Sequence, residues 1–406
     1  MASLAVSMIL FGDIAVAHVS LAIAVMVVIG IFYTLVGGVR SVIFTDVIQA
    51  VVYVGAAIAA IAVLWSRLPM DTPTIVETLT QARNGAGNKL QIVDTEFGGF
   101  GSEHTFTLWT VLTGWMLLNL AAFGTDQDLA QRTLTCKSSR RAGGSVIVAM
   151  LVGVPVTMLF LMVGSLLYAH HAAAAGDAAS PIVTGDTRKV FLAYIMDDMP
   201  VGLTGLMLAG LIAAGLSSFN SALHAMASAF IGDVYKQARA GRDETHYVRA
   251  GRLAVVAGGV ILGAFACLCA FWQKAEDSTL LAFALKVMTF AYSGLLAVFL
   301  TALFTKRGSN ASVIAALVVG FVAVLVFQQP VWERVAPQAW RGFTLAAPWQ
   351  MVVATAAAFV VCVMGKSAEE TTILPEPTVS PSDDPPMRPM HLSTPQPTPA
   401  ARSSGR

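Results

Sequence analysis

The sequence predicts an all-α polytopic membrane protein, and three observations carry that prediction. Hydrophobic residues make up 56% of the 406 and charged residues only 12%, where soluble domains usually carry about 25% charge. The apolar residues are gathered into runs close to the roughly 20 residues that a helix needs to cross a bilayer. Backbone groups facing lipid must be satisfied within their own segment, and runs of this length do so as helices rather than as strands of a barrel.

In chain order the runs are Ala15 to Thr34, Val47 to Ser66, Thr105 to Phe123, Ser145 to Tyr168, Gly202 to Ile231, Leu253 to Trp272, Thr279 to Phe304, Ala311 to Phe327 and Ala347 to Gly365. Each is almost free of charge, so each predicts one spanning helix. Met1 to Phe11 reads as the end of a further helix, too short to span alone. It leads straight into apolar residues with no basic leader, so the reading is of an inserted rather than a secreted chain.

Basic residues set the orientation, because short cytoplasmic loops carry excess Lys and Arg. Arg132, Lys137, Arg140 and Arg141 form one cluster; Lys236, Arg239, Arg242, Arg249 and Arg252 form another; Lys306 and Arg307 form a third. Alternating spans place all three inside. The opposite connections, His170 to Pro200 with Asp177, Asp186, Asp197 and Asp198, and Gln328 to Ala346, then lie outside. From Ser367 the chain turns to Pro, Ser, Thr and Glu, a composition that cannot bury enough apolar surface to fold. The expected organisation is a transmembrane domain over residues 1–365 in the cell membrane and a disordered cytoplasmic tail over 366–406.

A net charge of +1 supplies no basic field for nucleic acid. Cys136, Cys267, Cys269 and Cys362 show no metal-ligand spacing and are assigned no chemistry.

Three polar constellations interrupt the apolar spans. In the first, Ala214, Ser217 and Ser218 stand at i, i+3 and i+4 on one helix. Hydroxyl and carbonyl oxygens are hard, neutral ligands suited to an alkali cation that must leave again. Small residues also let membrane helices pack closely, and spacing alone does not choose between the two. In the second, Asp46 lies at the inner mouth of a chargeless span, where a carboxylate is expensive without a task. Thr45 or Asp46 could instead cap the helix that follows. In the third, Asn119 interrupts an apolar run and Gly124 follows; a break there would expose backbone to a solute, while a bond from Asn119 to a neighbouring helix is the structural alternative. Lys286 is read as snorkelling towards the outer face, and His224 as packing or gating polar content.

Taken in order, Tyr33 to Gln49 (Tyr-Thr-x-x-Gly-Gly, then Thr-Asp-x-x-Gln), Gly124 to Lys137 (Gly-Thr-Asp-Gln, then Gln-Arg and Lys) and Ala213 to Ser221 (Ala-Ala-x-x-Ser-Ser-x-x-Ser, then Asp233-x-Tyr235) resemble the sodium:solute symporter family. That family includes sodium-coupled sugar, sialic acid, proline, pantothenate and monocarboxylate carriers. The resemblance implies a leucine-transporter-like fold, in which inverted repeats cross and ion and solute bind where helices break near the midplane. It implies a main sodium site with the Ala214 carbonyl and the Ser217 and Ser218 hydroxyls as ligands. It also implies a second sodium, as in the sialic acid branch, between Ser217, Asn220, Ser221 and Asp46. Asn220 departs from that branch's serine, but its amide oxygen can serve. Asn119 falls where sugar carriers place a solute-binding asparagine, and Phe123 near the aromatic that closes their pocket; Ala122 and the apolar surroundings of Leu151 depart from a galactose-type site.

Family members begin with further helices, including the broken one that completes the main sodium site. By helix order Met1 to Phe11 matches the end of the third core helix, so the expected first repeat is incomplete. The function implied is sodium-coupled symport of a small organic solute, with sodium as transported ion and no organic cofactor. The alternative is a non-transporting or sensor-like relative. An intramembrane enzyme using Ser218 as nucleophile is set aside, because His224, six residues on, faces away from it.

Overall fold

The structure, a computed structural model, describes residues 2–81, 88–96, 105–175, 187–276, 279–340, 342–343 and 345–365. Its elements are α1 (Ala2–Phe11), α2 (Val16–Arg67), α3 (Thr72–Thr80), α4 (Leu108–Thr125, with a π turn at Val111–Trp115), α5 (Gln127–Leu134), α6 (Ser139–Ala175), α7 (Thr187–Ala193), α8 (Val201–Ala238), α9 (Glu244–Glu276), α10 (Leu280–Phe304), α11 (Asn310–Val326), α12 (Gln329–Val335) and α13 (Ala347–Met364). Among the described residues there is no strand, so the expected all-α fold is the one found. Among the described residues eight spans are long and apolar enough to cross a membrane, and α11 with α12, joined through an 88° bend, makes up to nine. The proposed tail at 366–406, and Asp177 and Asp186 of the expected outer loop, lie outside the described residues.

The first two expected spans return as two limbs, Val16–Gly37 and Val42–Arg67, of one helical stretch. The backbone stays helical from Val16 to Arg67, through the stretch from Leu35 that composition reads as a loop. It is not straight, however. Residues twelve apart in a straight helix are separated by about 18 Å along the axis, yet the Tyr33 and Thr45 hydroxyls share a hydrogen bond. The two limbs, Val16–Gly37 and Val42–Arg67, therefore fold back on each other. Glycine weakens the helix where it bends.

Contacts with α8 show the same reversal. Along the second limb Tyr53 meets Gly210 and Asp46 meets Ser217, so the neighbours recede as α8 advances. Along the first limb they advance, from the Ile23 cluster beside Leu211 to Gly30 at Phe219 and Thr34 at Asn220. Helix α9 packs antiparallel to that limb, with Gly259 at Ile31 and Gly263 at Val27.

The apolar packing is divided among several clusters rather than drawn into one core. Ala56, Ala60 and Leu64 of α2 meet Val163 and Leu167 of α6 and the buried Tyr194 and Ile195 after α7. Trp115 and Leu118 of α4 meet Leu296 of α10 and Met351 of α13. Lys286 is half-buried with its Nζ 5.8 Å from the centre of the Trp272 ring, so a cation–π contact holds it there.

Candidate cation site between α2 and α8

Residues 217, 220, 221 and 224 of α8 recur at helical spacing and share one face, which is turned towards α2 and α5. Ser217 Oγ donates to Asp46 Oδ1 at 2.6 Å. Arg132 Nη2 donates to Asp46 Oδ2 at 3.0 Å and also to Ser221 Oγ. Thr34 Oγ1 donates to Asn220 Oδ1 at 3.3 Å, and both side chains are buried.

Arg132 reaches this point because of local sequence chemistry two turns earlier. Asp126 ends α4 in an extended conformation, and its carboxylate accepts from the Asp128 and Leu129 amides at 2.8 and 3.2 Å, capping α5. Tyr292 of α10 donates to the other oxygen of Asp126 at 3.4 Å. Helix α5 then carries Asp128 and Arg132 four apart, with Arg132 Nε donating to Asp128 Oδ1 at 3.1 Å. Burial acts against the Arg132 charge, but Asp128 and then Asp46 outweigh it and hold the guanidinium above its ordinary pKa. The Asp46 side chain is 15% exposed and that of Arg132 35%.

A cavity of about 30 Å³ adjoins the pair, lined by Val42, Ile43, Asp128, Gln131, Arg132, Thr135, Ser221 and His224. That is room for one water or one bare ion. His224 Nε2 is buried and has no hydrogen-bond partner among the described residues.

The structure thus gathers Asp46, Ser217 and Ser221, with Asn220 beside them, and separates the other expected residues from them. Ala214 and Ser218 are exposed on α8, and Ser218 Oγ donates to the Ala214 carbonyl at 3.4 Å. Asn119 and Phe123 are exposed together on α4. Asn119 Nδ2 donates to the Trp115 carbonyl of its own helix at 2.9 Å, rather than across to a neighbour. The break expected at Gly124 falls at Asp126. Neither Thr45 nor Asp46 caps a helix, because the backbone is helical on both sides of them and Thr45 donates to the Val42 carbonyl.

Sequence reading missed Arg132 as a site residue, taking it for part of an inner basic cluster. Two signals could have found it: Asp128 four residues before it, and its place in the Gln131-Arg132 pair of the second family motif.

A helical bundle with up to nine spans that keeps an ion pair, hydroxyls and an ion-sized cavity between two of them has the parts of an ion-handling membrane carrier. The pattern of the sodium:solute symporter family matches residues 2–320, and the chain belongs to that family. It is 25% identical over 298 residues to the sodium/sialic acid symporter SiaT of Proteus mirabilis, covering 73% of this chain and 57% of that one. It is 26% identical over 328 residues to the sodium/glucose cotransporter 1 of Oryctolagus cuniculus, covering 74% and 48%. The chain therefore spans about half the length of the curated relatives it matches. The fold is similar to that of a Na⁺-coupled sialic acid symporter solved in a substrate-bound outward-open state, with a TM-score of 0.66, 21% identity, and coverage of 89% of this chain and 69% of that one.

Proposed function

We propose that this chain serves sodium-coupled symport of a small organic solute across the cell membrane. The observation that carries the reading is Asp46, a carboxylate near the start of the apolar limb Val42–Arg67, whose Oδ1 accepts from Ser217 across the α2–α8 interface while Arg132 joins its Oδ2 to Ser221. A carboxylate at the mouth of a span is costly unless it is paired or handles an ion. Sodium takes the oxygens of Asp46, Ser217, Asn220 and Ser221 in one place. In a second it takes the Ala214 carbonyl and the Ser217 and Ser218 hydroxyls. The closeness of the Ser218 hydroxyl to the Ala214 carbonyl, 3.4 Å apart on the exposed face of α8, supports this second place.

Asn119 and Phe123, one turn apart on the exposed face of α4, line the solute path. The solute belongs to the sialic acid, hexose and inositol class carried in the names of the relatives. Residues 1–365 hold the transport machinery, with 366–406 following it on the cytoplasmic side. Binding of sodium shifts the population outward-open, and its release inside completes the cycle.

Uptake into proteoliposomes, screened over sialic acids, hexoses, inositols, amino acids and monocarboxylates with sodium replaced by choline, tests the reading. Sodium-dependent uptake of at least one solute is expected, and Ser218→Ala should reduce it by roughly tenfold at limiting sodium, the equivalent of about 1.4 kcal/mol of ion binding. Uptake that is indifferent to sodium, or unaffected by Ser218→Ala, would refute the assignment.

A further inference from the structure

We propose that the Arg132 guanidinium is a tethered counter-cation: it occupies the Asp46 site when sodium is absent and must withdraw for sodium to bind. This rests on the reading of Asp46, Ser217, Asn220 and Ser221 as sodium ligands, and deepens it.

Two of those four residues already hold a cation. Arg132 Nη2 touches the carboxylate of Asp46 and the hydroxyl of Ser221 with one nitrogen, while Ser217 takes the other carboxylate oxygen. The place where sodium would draw on Asp46 and Ser221 together is the place of that nitrogen. A sodium ion and a guanidinium on one partly exposed carboxylate repel each other at close range, and solvent moderates that repulsion without removing it. Nor is the carboxylate left without any cation at low cost. Exchange of one for the other keeps the site near neutrality through the whole cycle.

The structure also supplies somewhere for Arg132 to go. Its Nε is paired with Asp128 on its own helix, so withdrawal breaks the contacts to Asp46 and Ser221 while that pairing persists. The adjoining cavity, about 30 Å³ and lined by Val42 and Ile43 as well as Asp128, Gln131, Thr135 and His224, is too small for the guanidinium itself, so withdrawal turns the side chain towards Asp128 and the solvent that already reaches it. Because α5 is capped by Asp126 and anchored to Tyr292, the competitor stays at high effective concentration next to the site. Arginine remains protonated at any physiological pH, so the competing charge is always present. Its consequence is a weakened sodium affinity on the side where Arg132 closes in, which promotes release of the ion.

The test is the sodium dependence of thermal stability of the purified full-length protein, at constant ionic strength with choline as replacement, in a Ser218→Ala background that leaves the Asp46 site. Arg132→Gln is expected to lower the half-saturating sodium concentration by at least about fivefold, the lower end of ordinary coupling between ligands. Asp128→Asn is expected to raise it, because Arg132 loses its resting partner and settles on Asp46. Asp46→Asn should lose the sodium response. A merely structural Arg132 would not move the two variants in opposite directions. If Arg132→Gln does not fold, the Asp128→Asn shift alone decides, and an unchanged or lowered half-saturation there overturns the proposal. An unchanged or weakened response in Arg132→Gln also overturns it while leaving the sodium reading intact, whereas a response that vanishes with Ser218→Ala alone overturns both the proposal and the reading of Asp46 as a sodium ligand. No sodium response in the wild type overturns both.

Discussion

Asp46→Asn is expected to raise the sodium concentration for half-maximal uptake by tenfold or more, roughly 1.4 kcal/mol of lost ion binding. The amide keeps the shape of the side chain and an oxygen for Ser217 at the position now 2.6 Å away, so the loss reports charge rather than packing. Asp46→Ala goes further. It takes the acceptor from Ser217 and one of two carboxylate partners from Arg132, which keeps Asp128. Both side chains are partly exposed, so solvent moderates the penalty to about 1–3 kcal/mol. The melting temperature without sodium should therefore fall more for Asp46→Ala than for Asp46→Asn. An Asp46→Asn protein with wild-type sodium dependence would show that the carboxylate does not bind the ion.

Gly320→Val should be strongly destabilising, because it stands at a close helix contact. A Cβ at Gly320 would lie 2.5 Å from the Gly294 nitrogen and 2.6 Å from its Cα, and one at Gly294 would lie 2.9 Å from the Leu317 Cα. These neighbours are backbone, so no side-chain rotation relieves the overlap. Helices α10 and α11 must move apart, which loosens Ala297, Ala316, Ala358 and Cys362, a cluster shared with α13. Small residues at such crossings are what permit close approach in a membrane, where lipid is as apolar as leucine. A loss towards the upper end of the 1–3 kcal/mol range for overpacking, or more, is expected. It should appear as a lower melting temperature and a smaller monodisperse yield. Gly320→Ala should fall in the same direction by less. Gly153→Ala, where an added Cβ meets nothing within 4 Å, is the control that should change little. A Gly320→Val protein that melts with the wild type would contradict the α10–α11 contact.

The spans were legible in the sequence because the cost of burying charge in hydrocarbon acts residue by residue. Each expected run returns as a helix or limb of a helix, with boundaries moved by at most nine residues, from Leu253 to Glu244. The largest discrepancy, the stretch from Leu35 to Asp46, arose because Gly37, Gly38, Arg40 and Ser41 have the composition of a loop whether the backbone unwinds or stays helical and bends. Packing of the two limbs against α8 and α9 decides between those outcomes, and it involves residues nearly two hundred positions away.

The site divides in the same manner. Family motifs drew attention to Asp46 and to the Ser217–Ser221 turn, because an ionisable or hydroxyl-rich interruption stands out in a chargeless helix. They could not say that Ser217 turns to Asp46 while Ser218, about 100° round the helix, is exposed. They included Arg132 in the Gln131-Arg132 pair, but its basic neighbours gave it the look of one more charge in an inner loop. By itself the sequence determined an α-helical membrane protein, its apolar spans and the oxygen-bearing residues available to a cation, since hydrophobic run length and local residue chemistry are written along the chain. Only the tertiary structure decided which of those oxygens meet and that a guanidinium already stands among them, because that depends on a bend in α2 and a cap on α5 that bring distant segments to one point.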